Sequence, residues 1–229
     1  ADGGEAIYIG SGGQAGQNCI GIGEGAVTVN GPAIAIGRNA RAIGSVALAM
    51  GNSATVESSQ SIGLSGENIT VTSAAQRSVG IGRQVTIQSN NCIAIGNYAR
   101  VLTSASNSMN FATSGVGVGG VSSPNSVNIA PGNYNTNITA AAPRAIGIGS
   151  ANQAMDKVTA ADGIAIGTES TATAAGAVSL GREIVANMVD TVSVREIEVQ
   201  TVGGGITMYS PDGTAYKLTV ANGGTLVIT

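Results

Sequence analysis

The 229-residue chain has no tryptophan, no histidine and one phenylalanine, Phe111, beside five tyrosines. The large aromatic groups that usually anchor a globular core are nearly missing. Without histidine there is no triad base, no proton shuttle tuned near neutral pH and no imidazole ligand for a metal. Charged residues are only 10% of the chain, and a net charge of −3 supplies no basic face for phosphates, so nucleic acid is not an expected partner. No apolar run is long enough to span a bilayer, no signal peptide is recognisable, and membrane insertion is not expected. The carboxylates stand singly, at Glu24, Glu57, Glu67, Asp156, Asp162, Glu169, Glu183 and Asp190. Glu196 and Glu198 share one strand face and read as two solvated charges. Gly115-Val-Gly-Val-Gly-Gly120 spells a dinucleotide loop, but Val-Ser-Ser-Pro follows it where a helix would be needed. The expectation is a protein with no catalytic residues, no cofactor, no metal and no enzymatic activity.

What the chain has instead is a repeat, small-Ile/Val-small-Ile/Leu-Gly. It reads Cys19-Ile-Gly-Ile-Gly23, Ala33-Ile-Ala-Ile-Gly37, Cys92-Ile-Ala-Ile-Gly96, Ala145-Ile-Gly-Ile-Gly149 and Gly163-Ile-Ala-Ile-Gly167, with further copies from Ala6, Ala47, Ser78 and Ala177. Weaker copies start at Ser61, Ser108, Ser126 and Thr191, and half of the steps between the copies are 14 residues. A fixed period with scattered insertions marks a solenoid, each repeat forming one coil on its neighbour. The 35 glycines lack the every-third-residue spacing of collagen.

Alternation of small and branched residues predicts a β-strand for each anchor, and the closing glycine suits a tight bend. Seven residues after the anchor start comes a second strand, as in Ala40-Arg-Ala-Ile43, Ala54-Thr-Val-Glu57, Val85-Thr-Ile-Gln88, Ala99-Arg-Val-Leu102 and Gly115-Val-Gly-Val118. Its middle slot takes Arg41, Thr55 or Arg100, which suits a face in water. The anchor strand has no polar face: Ile34 and Ile36 fill one side, Ala33 and Ala35 the other. One side can pack within its own coil, and the other requires a second surface, most economically further copies of the chain. The residues expected to carry this packing are Ile34, Ile36, Ile93, Ile95, Ile146, Ile148, Ile164 and Ile166. Cys19 and Cys92 occupy the same slot five coils apart. At about 4.8 Å per coil they lie roughly 24 Å from each other, beyond disulfide reach.

The repeat resembles the head-domain repeat of YadA-like trimeric autotransporter adhesins, Ser-Val-Ala-Ile-Gly followed by small residues and Ala, best over 33–50 and 161–182. The resemblance covers roughly residues 6–195. It implies a left-handed parallel β-roll with three chains side by side, an all-β homotrimer.

Between Thr103 and Arg144 the period loosens amid asparagines and the prolines Pro124, Pro131 and Pro143. The coils are expected to swell into loops there, with Asn133, Tyr134 and Asn135 as candidate surface contacts. Met155-Asp-Lys-Val158 reads as another small insertion. Beyond a roll of residues 1–195, residues 196–229 read as a three-stranded antiparallel meander: Ile206–Tyr209, a Pro211-Asp-Gly213 turn, Ala215–Val220, an Asn222-Gly-Gly224 turn and Thr225–Ile228. This ending resembles a terminal module of fibre-like phage and prophage proteins, Gly-Gly-Ile-…-Ser-Pro-(Asp/Asn)-Gly-Thr-…-Tyr-Lys-Leu-Thr-Val. A meander there would seal the open edge of the last coil.

Two functions are in view. One is a structural fibre or spike of a bacteriophage virion, on tail or head, whose partners are its own copies, other virion proteins and a glycan or protein of the host surface. The other is the head of a secreted adhesin on a bacterial cell surface. The meander, where that family usually continues into a heptad stalk, favours the virion.

Overall fold

Each anchor forms a strand that pairs in parallel with the same motif one coil away, Ile20 opposite Ile34 and Ile34 opposite Leu48. The computed structural model describes residues 4–113, 120–130, 136–139, 142–150, 155–197, 205–220 and 224–229. The chain divides into two units, Ala1–Val194 and Arg195–Thr229. In the first, thirteen anchor strands make one sheet in chain order, from Ile7–Ile9 to Val192–Val194. Eleven short strands from Val27–Thr28 to Val185–Ala186 make a second sheet, and the chain alternates between the two. The result is a parallel β-solenoid with coils of about 14 residues. At about 4.8 Å per strand its thirteen-stranded sheet is roughly 60 Å long.

The interior is narrow, and the small side of each anchor faces it. Ala35, Ala49, Ala94 and Ala165 are fully buried. From the second sheet Ala42, Val56, Val71, Ile87, Val101 and Val121 point inward to meet them. The two sheets compensate in volume. Where the second sheet contributes Val56 and Ile69, the anchor slot holds Gly63, whose absent Cβ would lie 2.7 Å from Val56 Cγ2 and 3.2 Å from Ile69 Cγ2. Where the second sheet offers Ala40 and Ala42, alanine fits at Ala35. Close packing of this kind leaves no room for Ile at the inward slot of the anchor, because the second sheet already fills the interior with Val56, Ile69 and Ile87.

The anchor glycines have a specific task. Gly23, Gly37, Gly51, Gly82, Gly96, Gly149, Gly167 and Gly181 sit at φ between +121° and +130°. A Cβ on Gly37 would fall 2.4 Å from the carbonyl oxygen of Gly51 in the next coil. Four anchors lack this glycine: the last ends in Arg195, and the three that end in Ser65, Ala112 and Ala130 open coils of 17, 18 and 19 residues. A side chain there forbids the tight bend, so the chain takes a longer way round. The coil from Ala145 is long despite Gly149.

Each coil also carries left-handed residues just before a buried strand start. Val46, Gln60, Arg77, Asn91, Asn107, Asn125, Arg144, Asp162 and Asp190 precede anchors, all with φ of 53–59°. Asn39, Ser53, Asn68, Gln84, Tyr98, Glu169 and Glu183 precede second strands in the same way. Asn and Asp tolerate this conformation, whereas β-branched Val46 is an outlier.

One expectation changes here. Met155–Val158 is no insertion: it is a strand of the second sheet, with a register shift opposite Asn137 and Ile138. The shift places Lys157 and Val158, neighbours in sequence, both inside the roll. In the asparagine-rich stretch the anchors from Ser108 and Ser126 continue the sheet, with Asn110 and Asn128 fully buried and Asn128 Nδ2 donating to Asn110 Oδ1 at 3.0 Å. The second strand expected at Gly115–Val118 falls outside the described residues, and the one that pairs in that coil is Gly120–Val121.

In the second unit, Ile206–Tyr209, Ala215–Val220 and Leu226–Ile228 form a three-stranded antiparallel sheet in the expected order. Its first turn is held by Ser210 and Asp212: the Ser210 hydroxyl donates to the Asp212 carboxylate, which also accepts the Thr214 amide at 2.9 Å. These bonds, the Ser210 one foremost, pull the carboxyl down to about 2.

Candidate functional site

Because the small side of each anchor is taken up inside, the branched side faces out. Two residues from each strand form two columns along the outer face of the longer sheet, which begin at Ile7 and Ile9, end at Val192 and Val194, and hold eleven residues each between these ends. In one, Ile20, Ile34, Leu48, Ile62, Val79, Ile93, Met109, Val127, Ile146, Ile164 and Val178 stand in register. In the other, Ile22, Ile36, Met50, Leu64, Ile81, Ile95, Phe111, Ile129, Ile148, Ile166 and Leu180 do the same. No charged or polar residue interrupts either column.

Ile34, Ile36, Ile93, Ile95, Ile146, Ile148 and Ile164 are therefore half-buried and Ile166 is exposed, all eight on this outer face and none in the interior of the roll. Neighbours above and below cover their flanks, and their tips remain uncovered. With roughly a third of each side chain accessible, the face presents on the order of 1,500 Å² of apolar surface, several times the largest patch of an ordinary monomer. Asn133, Tyr134 and Asn135 lie outside the described residues.

The opposite side of the roll differs. Arg41, Thr55, Thr70, Thr86, Arg100 and Thr171 occupy the outward slots of the second sheet. The turns before the anchors carry a polar ladder. Arg77 Nε donates to Asn91 Oδ1 at 2.8 Å, Asn91 Nδ2 to Asn107 Oδ1 at 3.0 Å, and Asn107 Nδ2 to Asn125 Oδ1 at 3.1 Å. One step on, Arg144 grips Asp162 with Nε at 2.6 Å and Nη2 at 2.7 Å, holding its carboxyl below the usual carboxylate range. Arg83 pairs with Glu67 across another coil at 2.9 Å. These exposed pairs align coils and contribute little energy each. The apolar outer face thus sits between polar flanks.

Within the roll, polar side chains serve the turns. Ser61, Ser78, Ser108 and Ser126 stand at the first anchor slot and donate across the coil to the carbonyls of Ala75, Ser89, Ser123 and Ala142 at 2.9–3.2 Å. Cys92 occupies the same slot and donates to Ala105 O at 3.1 Å, and burial raises its thiol pKa. Cys19 and Cys92 are free and buried. Lys157 is fully buried, its ammonium donating to Gly167 O, and desolvation lowers its pKa to about 8. Among the described residues, no three His, Cys, Asp or Glu side chains are grouped so as to hold a metal ion.

Asn110, Asn128 and Lys157 escape a reading by composition, but slot counting puts the first two on the same side of the anchor as Ala35 and Ala94. That side turns inward once the coil closes, and both asparagines go with it. Lys157 left no such signal, since the register shift that buries it belongs to the sheet.

No protein-family model matches the chain, and no curated protein sequence matches it.

Proposed function

We propose that the protein is a non-enzymatic structural fibre or spike of a bacteriophage virion, built from three copies whose rolls turn their apolar outer faces toward a common axis. The uninterrupted double column of Ile, Val, Leu and Met carries this reading. Such a face is stable in water only when covered, and a second and third copy are the surfaces that match it in length, period and chemistry. The polar opposite side then becomes the outside of the particle. Resemblance of the repeat to YadA-like heads supports a trimer and a left-handed roll. The closing antiparallel module, similar to an ending of phage fibre proteins, supports the virion setting, with other virion proteins and a host-surface glycan or protein as partners. The same repeat also supports the head of a bacterial adhesin at the cell surface.

Sedimentation equilibrium on the purified chain tests the assembly, with a mass three times that of the 22.3 kDa chain expected. A folded monomer at micromolar concentration would refute it. Gold-labelled antibody against the chain then separates the settings. Labelling of phage particles is expected, and labelling confined to bacterial surfaces would move the assignment to an adhesin head.

A further inference from the structure

The C-terminal unit carries a second uncovered apolar face. In its sheet Ile206 pairs with Leu218 and Leu218 with Ile228; Met208 pairs with Tyr216 and Val220 with Leu226. Directly paired residues point to the same side, so these seven side chains form one face. The other face carries Thr207, Tyr209, Ala215, Lys217, Thr219 and Val227, a mixed surface of polar and smaller apolar groups. Leu218 lies at the centre of the apolar side, flanked on both neighbouring strands. Val220, Leu226 and Ile228 are each about two-thirds exposed. A contiguous apolar face of this extent left in water marks an interaction site, so this face calls for a cover.

We infer that the cover is the same face of two further copies, so that the C-terminal sheet forms a second, separate association unit that clamps the three chains together at one end. This rests on the trimeric assembly proposed above. Three features favour copies of the chain as the occupant. No charged residue stands on the face, so three copies can meet without burying like charges. The exposed side chains amount to about 600 Å² per chain, near the ~800 Å² that each partner of a stable complex contributes. Finally, only residues 195–204 separate this sheet from the last strand of the roll, a reach of at most about 35 Å. Three rolls held together thus keep three sheets at millimolar effective concentration, where a modest interface is enough.

The role differs from that of the roll face. The columns there repeat every coil, so a chain displaced by one coil still matches its neighbours. A finite sheet of three strands has no such degenerate positions. It brings the same end of each of the three chains together.

Cysteine cross-linking in the full chain tests the inference. Leu218→Cys is expected to form interchain disulfides under mild oxidation, giving a dimer band on non-reducing gels whose yield does not fall on dilution. Thr219→Cys, on the other face, is expected to give none. Cys19 and Cys92 are buried in the roll and do not compete. If Leu218→Cys fails to fold, Met208→Cys serves in its place. Three-chain particles in which neither apolar-face cysteine cross-links would overturn the clamp while leaving the roll trimer standing. Equal cross-linking from both faces would also overturn it. Particles of a single chain by sedimentation would remove the trimer on which it rests.

Discussion

Replacing Ile36 with aspartate separates a covered outer face from a bare one. Ile36 stands in mid-column, in register with Ile22 and Met50, and is half-buried in the single chain. Its side chain lies outside the roll, so in an isolated chain Ile36→Asp would lose only its packing against neighbours, about 1 kcal/mol. In a trimer each copy forfeits the rest of the ~1.5–3 kcal/mol that a covered Ile supplies. Each copy also desolvates a carboxylate that has no cation in either column, several kcal/mol even after relaxation. Three copies meet near one axis, which makes the total roughly 10 kcal/mol or more per particle, with mutual repulsion added. Sedimentation velocity and far-UV circular dichroism should therefore show a β-rich species with the mass of one chain, or aggregate, where the parent sediments as three. Arg41→Asp, on the exposed slot of the second sheet, should leave mass and melting temperature almost unchanged. Ala35→Asp, inside the roll, should abolish folding whatever the assembly. An Ile36→Asp variant that still sediments as three chains with an unaltered melting temperature would refute the reasoning.

Lys157→Met should stabilise the protein by about 3 kcal/mol at pH 7, because a pKa lowered to about 8 means that the folded state disfavours the charged amine. This penalty is complete below pH 8 and fades as pH climbs toward the ordinary lysine value, since only the unfolded chain still binds the proton. Denaturant midpoints of parent and variant should thus converge between pH 8 and 10.5, and a gap independent of pH would count against it. Val46→Asn should raise stability by about 1 kcal/mol, since Val46 sits at φ +58° where other coils place Asn91 and Asn107; a drop in melting temperature would show that its side chain has a contact that matters more. Gly37→Ala should cost about 3 kcal/mol or more in thermal unfolding, because φ of +129° and a carbonyl at 2.4 Å both oppose a Cβ; a neutral result would mean that the coils can move apart freely.

Much of the roll is legible in the residues one coil at a time. The anchor motif dictates strand, bend and period. The substitutions within it locate three of the long coils, since Ser65, Ala112 and Ala130 replace the glycine whose φ no other residue adopts readily, whereas the coils from Cys92 and Ala145 are long with the glycine in place. The meander is equally plain from Pro211-Asp-Gly213 and the alternating runs beside it. Slot position explains Cys92 as a relative of Ser78 and Ser108. The outer face was half legible: an anchor apolar on both sides calls for a second surface, and eight of the isoleucines on it are named from the repeat.

Which side would face inward was not in the pattern, for alternation treats Ile34 and Ala35 alike. That depended on the distance between the two sheets, which exists only once the coil closes. The gap admits Ala35 opposite Ala42 or Gly63 opposite Val56, and with Ile69 and Ile87 already inside it leaves the anchor side no room for isoleucine. The buried Lys157 came from the same level, through a register shift between neighbouring strands that no single coil encodes. Local sequence specifies conformation residue by residue, whereas volume is shared among residues distant along the chain. The folded roll alone settles that sharing, and with it the direction in which its isoleucines point.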